Sequence, residues 1–433
     1  MSGSDKPRIH WVSPLPPAET DIAHYSARIL PELADRSELV LWTDAPEWDA
    51  ALEDICPVHR LDPDRHSPMD LARSGSGIGS NDRVFVHIGN SWVFHSGFLR
   101  LARRIPSVIV LHDLAIQELC FDAIHNGLWS EKAYREDMHR WYGEAGLDLA
   151  ERLLAGTISA RDVSASAPGF EVTLDRAVSV VTHTTGAWTA VAGRKALPCY
   201  QLDLPFRATS DPGAQRAAEG PLRLVQFGYI GPNRRLDQVL DILSDLKNEL
   251  PFRLDIMGKV WNPSYIRDRI ADLGLSGHVA MHGFVEEKEL DAALAEAHLV
   301  FNLRHPTMGE ASGSQLRIWD AAAASVVTDQ GWYESLPDET VFKIPLEGEG
   351  DALRALLKRL AADRAYGRQV GEAGRARLVA RHGPARYADG IVHVARQFGA
   401  DARRALLARR GRRLLQDSVV EREFLQAQLA THL

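Results

Sequence analysis

The sequence predicts an α/β protein built from two doubly wound domains. Three observations predict it: short Val-, Ile- and Leu-rich runs alternate with helix-forming segments twice over, a breaker-rich stretch separates the two series, and 433 residues exceed what one core organises. Alternation of this kind lays strands in parallel and covers both faces of the sheet with helices. In open parallel sheets ligands lie beyond the carboxyl ends of the strands, so polar residues that follow strands are the first candidates for function.

The first series opens with a strand at 9–13, stopped by Pro14, Pro16 and Pro17, and a helix at 22–33. A GxGxxG dinucleotide fingerprint would fall at this turn; it is absent, which argues against a nicotinamide enzyme. Strands are expected at 39–42, 84–88, 107–111 and 177–181, with a helix at 98–104. A long helical insertion at 122–155 carries Trp129, Tyr134, His139, Trp141 and Tyr142, which either pack or line an acceptor groove. His112-Asp113 and Thr182-His183-Thr184 each follow a strand, as ligand candidates or as structural caps.

From 203 to 220 the sequence DLPFRATSDPGAQRAAEG lacks apolar periodicity, so the expected organisation is a domain at 1–205, a linker at 206–220, a second domain at 221–383 and C-terminal helices at 384–433. Two similar domains imply a cleft. The second series has strands at 222–227, 252–257 and 279–283 and helices at 236–246, 264–273 and 287–297. The stretch 298–329 then reads as a strand (299–303), a polar loop (304–313) holding Glu310, a helix (314–324) and a strand at 326–327, followed by a helix at 351–362. Helix N-termini leave unpaired amides and a partial positive charge, so Gly309, Ser312, Gly313 and Ser314 would admit a phosphate oxygen. The same residues also fit an ordinary βα loop capped by Ser314.

The bulk composition narrows the partners. A net charge of -8 gives no overall footprint for nucleic acid, and three widely spaced cysteines, Cys56, Cys120 and Cys199, fit neither a disulfide framework nor a zinc cluster. A cytoplasmic protein is expected, since the first residues lack the apolar core of a signal peptide and no run of about 18 apolar residues occurs. No convincing DxD-type metal motif stands on a loop. Helices expected at 385–397 and from 401 onward interleave Arg403, Arg404, Arg409, Arg410, Arg412 and Arg413 with Leu406, Leu407, Leu414 and Leu415. Such a segment either packs back on the first domain or touches the inner face of an anionic membrane.

Taken together these motifs resemble the retaining GT-B glycosyltransferases of family 4 (glycosyltransferase group 1), in particular bacterial members that build surface polysaccharides. The opening SPLPPAETDIAHYSARILPELA and the strand IVLHDL are similar to that family's first domain. In the second, LVQFGYIGPNRRLDQVLDIL, LDIMGKV, VAMHGFV and HPTMGEASGSQLR follow in the family's order. The resemblance implies two Rossmann-like domains facing each other across a cleft, with a C-terminal helix returning to the first. It implies a nucleotide-diphosphate sugar as donor substrate, no cofactor, a glycan or lipid-linked acceptor, and retention of anomeric configuration without a metal.

Residue by residue, the resemblance implies that Gly228 and Gly231 open the donor loop and that Arg234 replaces the usual Lys that neutralises the diphosphate. His112 would face the donor sugar, Glu310 is the first carboxylate of the family's E-x7-E motif, and Ser312, Gly313 and Ser314 form the diphosphate-binding turn. Met257, Gly258 and the loop after Gly283 lie where base and ribose are held. Three departures stand beside these matches. Ile318 occupies the second glutamate's place, with Asp320 about 200° further round a helix. Tyr229 replaces an Arg, and Asp21 replaces a Gly of the opening loop. The chemistry implied is sugar transfer in which Arg234 and the helix amides stabilise charge on the leaving diphosphate. The alternatives are a catalytically degenerate member that binds a glycan or a partner protein, a nucleotide-sugar epimerase and an inverting transferase.

Overall fold

The structure, a computed structural model, describes residues 6–65, 82–195, 197–208 and 216–431, with side chains described to residue 410. The chain divides into two compact units, Met1–Asp203 with Tyr387–Leu433, and Leu204–Arg386. Of the linker at 206–220, residues 209–215 lie outside the described residues, as do side chains of Arg412, Arg413, Leu414 and Leu415.

The first unit holds a seven-stranded sheet in the order β3-β2-β1-β4-β5-β6-β7, every pair parallel. Its strands are β1 (Arg8–Val12), β2 (Glu38–Thr43), β3 (Val58–Arg60), β4 (Asp82–Ile88), β5 (Ser107–Leu111), β6 (Ala177–Thr182) and β7 (Cys199–Gln201). The central strands β5 and β6 are buried at every position, which is why they read as largely apolar runs. The order reverses between β1 and β4, so the switch point lies there.

The C-terminal helix Pro384–Thr431 supplies the rest of this unit. Tyr387, Ala388, Ile391, Ala395 and Ala405 are buried, the Tyr25 hydroxyl donates to that of Tyr387 at 2.6 Å, and Arg83 Nε donates to Ala395 O at 2.9 Å. The expected insertion at 122–155 is two helices, Gln117–His125 and Glu131–Leu154, the second broken at Gly143. Its Trp129 and Tyr134 are buried in the unit's core and pack edge to face at 5.7 Å, so these two serve packing.

The second unit holds a six-stranded sheet in the order β10-β9-β8-β11-β12-β13, again wholly parallel. Its strands are β8 (Leu222–Phe227), β9 (Phe252–Met257), β10 (Val279–Gly283), β11 (Leu299–Phe301), β12 (Ser325–Thr328) and β13 (Phe342–Ile344), and the switch point lies between β8 and β11. The helix expected at 314–324 runs Gly313–Asp320 and is capped by Ser312, not Ser314: the Ser312 hydroxyl accepts from Gln315 N at 3.1 Å. It stops early because Ala322 takes a φ of 50°, turning the chain into β12. A further helix, Arg364–Arg381, packs against it, with Gly371 so close to Ala322 O that an added Cβ would lie 2.1 Å away.

Candidate functional site

In the second unit the carboxyl ends of β8, β9 and β10 are closed by Gly228, Gly258 and Gly283, all at positive φ (93°, 129° and 69°). Their backbones interlock: Gly228 N donates to Met257 O at 2.9 Å, and Gly258 N donates to Gly283 O at 2.6 Å. A Cβ on Gly258 would stand 2.1 Å from Gly228 O. The loops leaving these strands therefore pass close together, with backbone rather than side chain between them. Met257 does not share this position; its side chain is buried with Phe227, Val300 and Ile318 in the core.

Arg234 ends a short turn, Pro232–Arg234, that follows β8 and Gly231. The residue is 5% exposed and its guanidinium sits beside Gly228: Nη1 donates to Asn302 Oδ1 at 3.0 Å, and Nη2 to Phe227 O at 3.1 Å. Asn302, buried just after β11, connects this cation to the next helix, since its Nδ2 donates to Gln315 Oε1 at 3.0 Å and to the Ser312 hydroxyl at 3.4 Å. Gln315 Nε2 in turn donates to the Ser325 hydroxyl at 2.7 Å. A buried, satisfied network of this kind fixes its members in place. It ties Arg234, on one side of the switch point, to the N-terminus of helix Gly313–Asp320 on the other. The amides of Gly313 and Ser314, first in that helix, have no intrahelical acceptor.

Glu310 lies in the loop that precedes this helix. Its carboxylate pairs with Arg304 and accepts from the Thr307 hydroxyl at 3.0 Å and from Met308 N at 2.8 Å. Burial pushes its pKa up, but Arg304 and these hydrogen bonds outweigh burial and hold it below the usual 4.5. A depressed pKa stabilises the folded loop fully above the ordinary value, and that stability is lost as pH falls through the lowered one. Amide exchange at Met308 is therefore expected to be slow and constant from pH 7 to 5.5, once corrected for intrinsic exchange, and to lose protection below pH 4. Protection unchanged down to pH 3 would separate the loop's order from the Glu310 charge.

The residues that depart from the family pattern have local explanations. Ile318 is fully buried among Val225, Phe227 and Met257, so its place on the helix faces the core. Asp320 is occupied by Arg375, whose Nη1 donates to Oδ1 at 2.7 Å. Neither residue leaves a carboxylate for ribose hydroxyls. Tyr229 is 65% exposed and takes no part in the Arg234 network, and its ring edge lies over Gly231. Asp21 is exposed in the first turn of helix Asp21–Ala34, where its charge favours the helix dipole; Thr20 is the cap.

In the first unit, β4, β5 and β6 deliver three imidazoles to one place. His112 follows β5, His87 stands near the end of β4, and His183 follows β6. His87 Nδ1 and His112 Nε2 are 2.9 Å apart, and the His112 and His183 ring centres are 5.0 Å apart. Tyr25 and Tyr387 pack on the same group. His87 and His183 are fully buried and His112 partly so. Burial pushes the pKa of all three down, that of His183 to about 4, with mutual repulsion adding to the effect on His87 and His112. All three are thus neutral near pH 7. His183 and Thr184 resolve as structural: His183 Nδ1 donates to Leu202 O at 3.1 Å, and Thr184 caps helix Thr185–Gly193. Among the described residues no group of three His, Cys, Asp or Glu is placed to hold a metal.

His87, Asn302 and Arg304 were not legible as site residues from sequence. The signal for two of them was a polar residue at the carboxyl end of an apolar strand, in VFVHI and LVFN.

Residues 234–393 match the family described as glycosyl transferase-like. No curated protein matches the chain in sequence. Among solved structures the chain is similar to sucrose-phosphate synthase from Thermosynechococcus elongatus, with TM-score 0.59 and 15% identity over 91% of this chain and all of that one. It is similar to Alr3699/HepE of Anabaena, solved with UDP, with TM-score 0.57 and 13% identity over 90% of this chain and 99% of that one. WaaG, a glycosyltransferase involved in lipopolysaccharide biosynthesis, gives TM-score 0.52 and 13% identity over 89% and 99%. The chain has the GT-B fold these proteins share.

Proposed function

We propose that the protein is a glycosyltransferase that moves a sugar from a nucleotide-diphosphate donor to a hydroxyl of a glycan or glycolipid. The observation that carries this reading is Arg234: a buried guanidinium beside Gly228, locked by Asn302 to a helix N-terminus at the switch point. A fixed cation and unpaired amides supply what a departing diphosphate needs, stabilisation of negative charge that grows in the transition state. Gly228, Gly231 and Gly258 keep the adjoining loops low enough for a nucleotide, and Ser312, Gly313 and Ser314 complete the phosphate turn. Glu310, held by Arg304, orients the transferred sugar and is not a base. His112 faces the donor sugar, the role its resemblance implies. Retention without a metal, and assembly of surface polysaccharide, belong to this reading.

The C-terminal helix extends it. Among the described residues no helix is long and apolar enough to cross a membrane. Arg403, Leu406, Leu407 and Arg410 are exposed, opposite the buried Asp401 and Ala405, and the exposed Arg404 pairs with Asp401 at 3.7 Å. That face suits peripheral contact with an anionic membrane from the cytoplasmic side.

Calorimetric titration with UDP, GDP, ADP and TDP tests the reading, and UDP, which the Anabaena protein binds, comes first. One of them is expected to bind with a Kd on the order of 1 μM to 1 mM, the usual range for such substrates. Binding to none of the four would favour a non-catalytic glycan- or protein-binding role. Conversion of the matching nucleotide sugar without any acceptor would favour an epimerase.

A further inference from the structure

The imidazole pair His87 and His112 has a defined proton arrangement. One proton lies between His87 Nδ1 and His112 Nε2, which are 2.9 Å apart, and the other nitrogen of His87, Nε2, is buried with no hydrogen-bond partner among the described residues. Two arrangements are possible for neutral rings. If His87 carried its proton on Nε2, a buried N–H would have no acceptor, and His112 Nε2 would be the donor. If His87 carries it on Nδ1, the unpartnered atom is only a lone pair, which costs less than an orphaned N–H. His183 shows the second arrangement in the same cluster. Its Nδ1 donates to Leu202 O at 3.1 Å, and its Nε2 is likewise buried and bare.

We infer that His87 is a positioning residue: it donates from Nδ1 to His112 Nε2 and thereby holds the partly exposed His112 as the Nδ1–H tautomer, a hydrogen-bond donor and not a base. Nε2 of His112 is occupied as an acceptor, so it is unavailable to take a proton from an acceptor hydroxyl, and the ring's free hydrogen-bonding capacity is one N–H. Trp11, whose ring centre is 4.2 Å from that of His87, and Tyr25, edge-on to His112 at 4.8 Å, keep both rings from flipping. His95 Nδ1 bonds the His87 carbonyl at 3.1 Å and leaves the His87 side chain to this one task. The assignment of His112 as donor rests on the transferase reading; the tautomer itself does not.

The test is the long-range nitrogen–proton spectrum of the full chain labelled with 15N-histidine at pH 7.5, with the His112 signals identified by their loss in His112→Gln. The expected pattern is a protonated Nδ1 and a bare Nε2. In His87→Phe the ring is expected to revert to Nε2–H, the form an unconstrained imidazole prefers. His87→Asn places an amide N–H near the position of Nδ1 and is expected to keep the wild-type pattern, which covers the case in which the Phe variant does not fold. With the donor identified, kcat is expected to fall about tenfold in His87→Phe at little change in KM and to stay within about threefold in His87→Asn, the scale of one oriented hydrogen bond. His112 found as Nε2–H in the wild type, or left unchanged by His87→Phe, overturns the inference. Because that spectrum needs no substrate, a correct tautomer with no turnover on any nucleotide sugar would overturn the transferase reading alone.

Discussion

Arg234→Ala is expected to lower kcat/KM for the nucleotide-sugar donor by about 100- to 1,000-fold, the usual cost of removing one preorganised group that faces developing charge. The guanidinium is aimed before any ligand arrives: Asn302 Oδ1 and Phe227 O take one donor from each terminal nitrogen, and Asn302 is itself held by Gln315. Preorganisation of this kind acts in the transition state without further ordering, so kcat is expected to fall as well as donor affinity. Arg234→Lys is expected to recover part of the loss. An ammonium keeps the charge, but it lacks the rigid fork that bonds Asn302 and Phe227 O while still facing a phosphate. Steady-state kinetics and calorimetry with the matching nucleoside diphosphate check both variants, and a melting scan confirms that the second unit still folds. Full affinity and turnover in Arg234→Ala would remove the phosphate role.

How legible this site was depends on which interaction fixed each residue. Strands such as β5, β6 and β8 were readable because burial favours short runs rich in Val, Ile and Leu, and the loop glycines Gly228, Gly231 and Gly258 were placed by the resemblance. The three-residue strands β3, β7 and β13 were not, because three residues carry little pattern and their pairing depends on distant neighbours. Helix Arg364–Arg381 was hidden for a different reason. Gly367, Gly371 and Gly374 lower its helix propensity, yet Gly371 and Gly374 are there because the helix rests directly on Ala322 and Trp319. Packing overrode propensity.

The same holds within the site. Glu310 stood out as the one carboxylate of a polar loop before a helix, and Arg234 through the resemblance, at the place of a usual Lys. The residues that hold them, Asn302 and Arg304, looked ordinary, since their roles come from pairing across the sheet or loop. Ile318 and Asp320 show the converse. They seemed to be defects in a binding motif, and the fold uses both for packing: Ile318 fills the core under β8 and β11, and Asp320 binds Arg375. On the transferase reading, contact with ribose would come from elsewhere; Tyr229 and Phe284, next to Gly228 and Gly283, are exposed.

Gly258→Ala is expected to cost about 3–5 kcal/mol of stability, against about 1–2 kcal/mol for Gly283→Ala, although both glycines end neighbouring strands at positive φ. At Gly283, φ is 69°, within the left-handed region that other residues enter at modest cost, and nothing lies within 4 Å of an added Cβ. At Gly258, φ is 129°, outside that region, and the new carbon would lie 2.1 Å from Gly228 O and 3.0 Å from Gly228 N. The obstacle is backbone, and it is not free to retreat, because Gly228 N is bonded to Met257 O and Gly258 N to Gly283 O. Any relief must move Gly228, and the nearest side-chain atom to that residue's missing Cβ is Arg234 Nη2, at 3.7 Å. Nucleotide affinity is therefore expected to drop in Gly258→Ala even at temperatures where the protein remains folded, while Gly283→Ala keeps near-normal affinity. Urea unfolding of the two variants, followed by calorimetry on whatever stays folded, compares them directly. Equal losses of stability would mean that the β8 and β9 loops can separate, and a rigid glycine floor beneath the phosphate site would have to be abandoned.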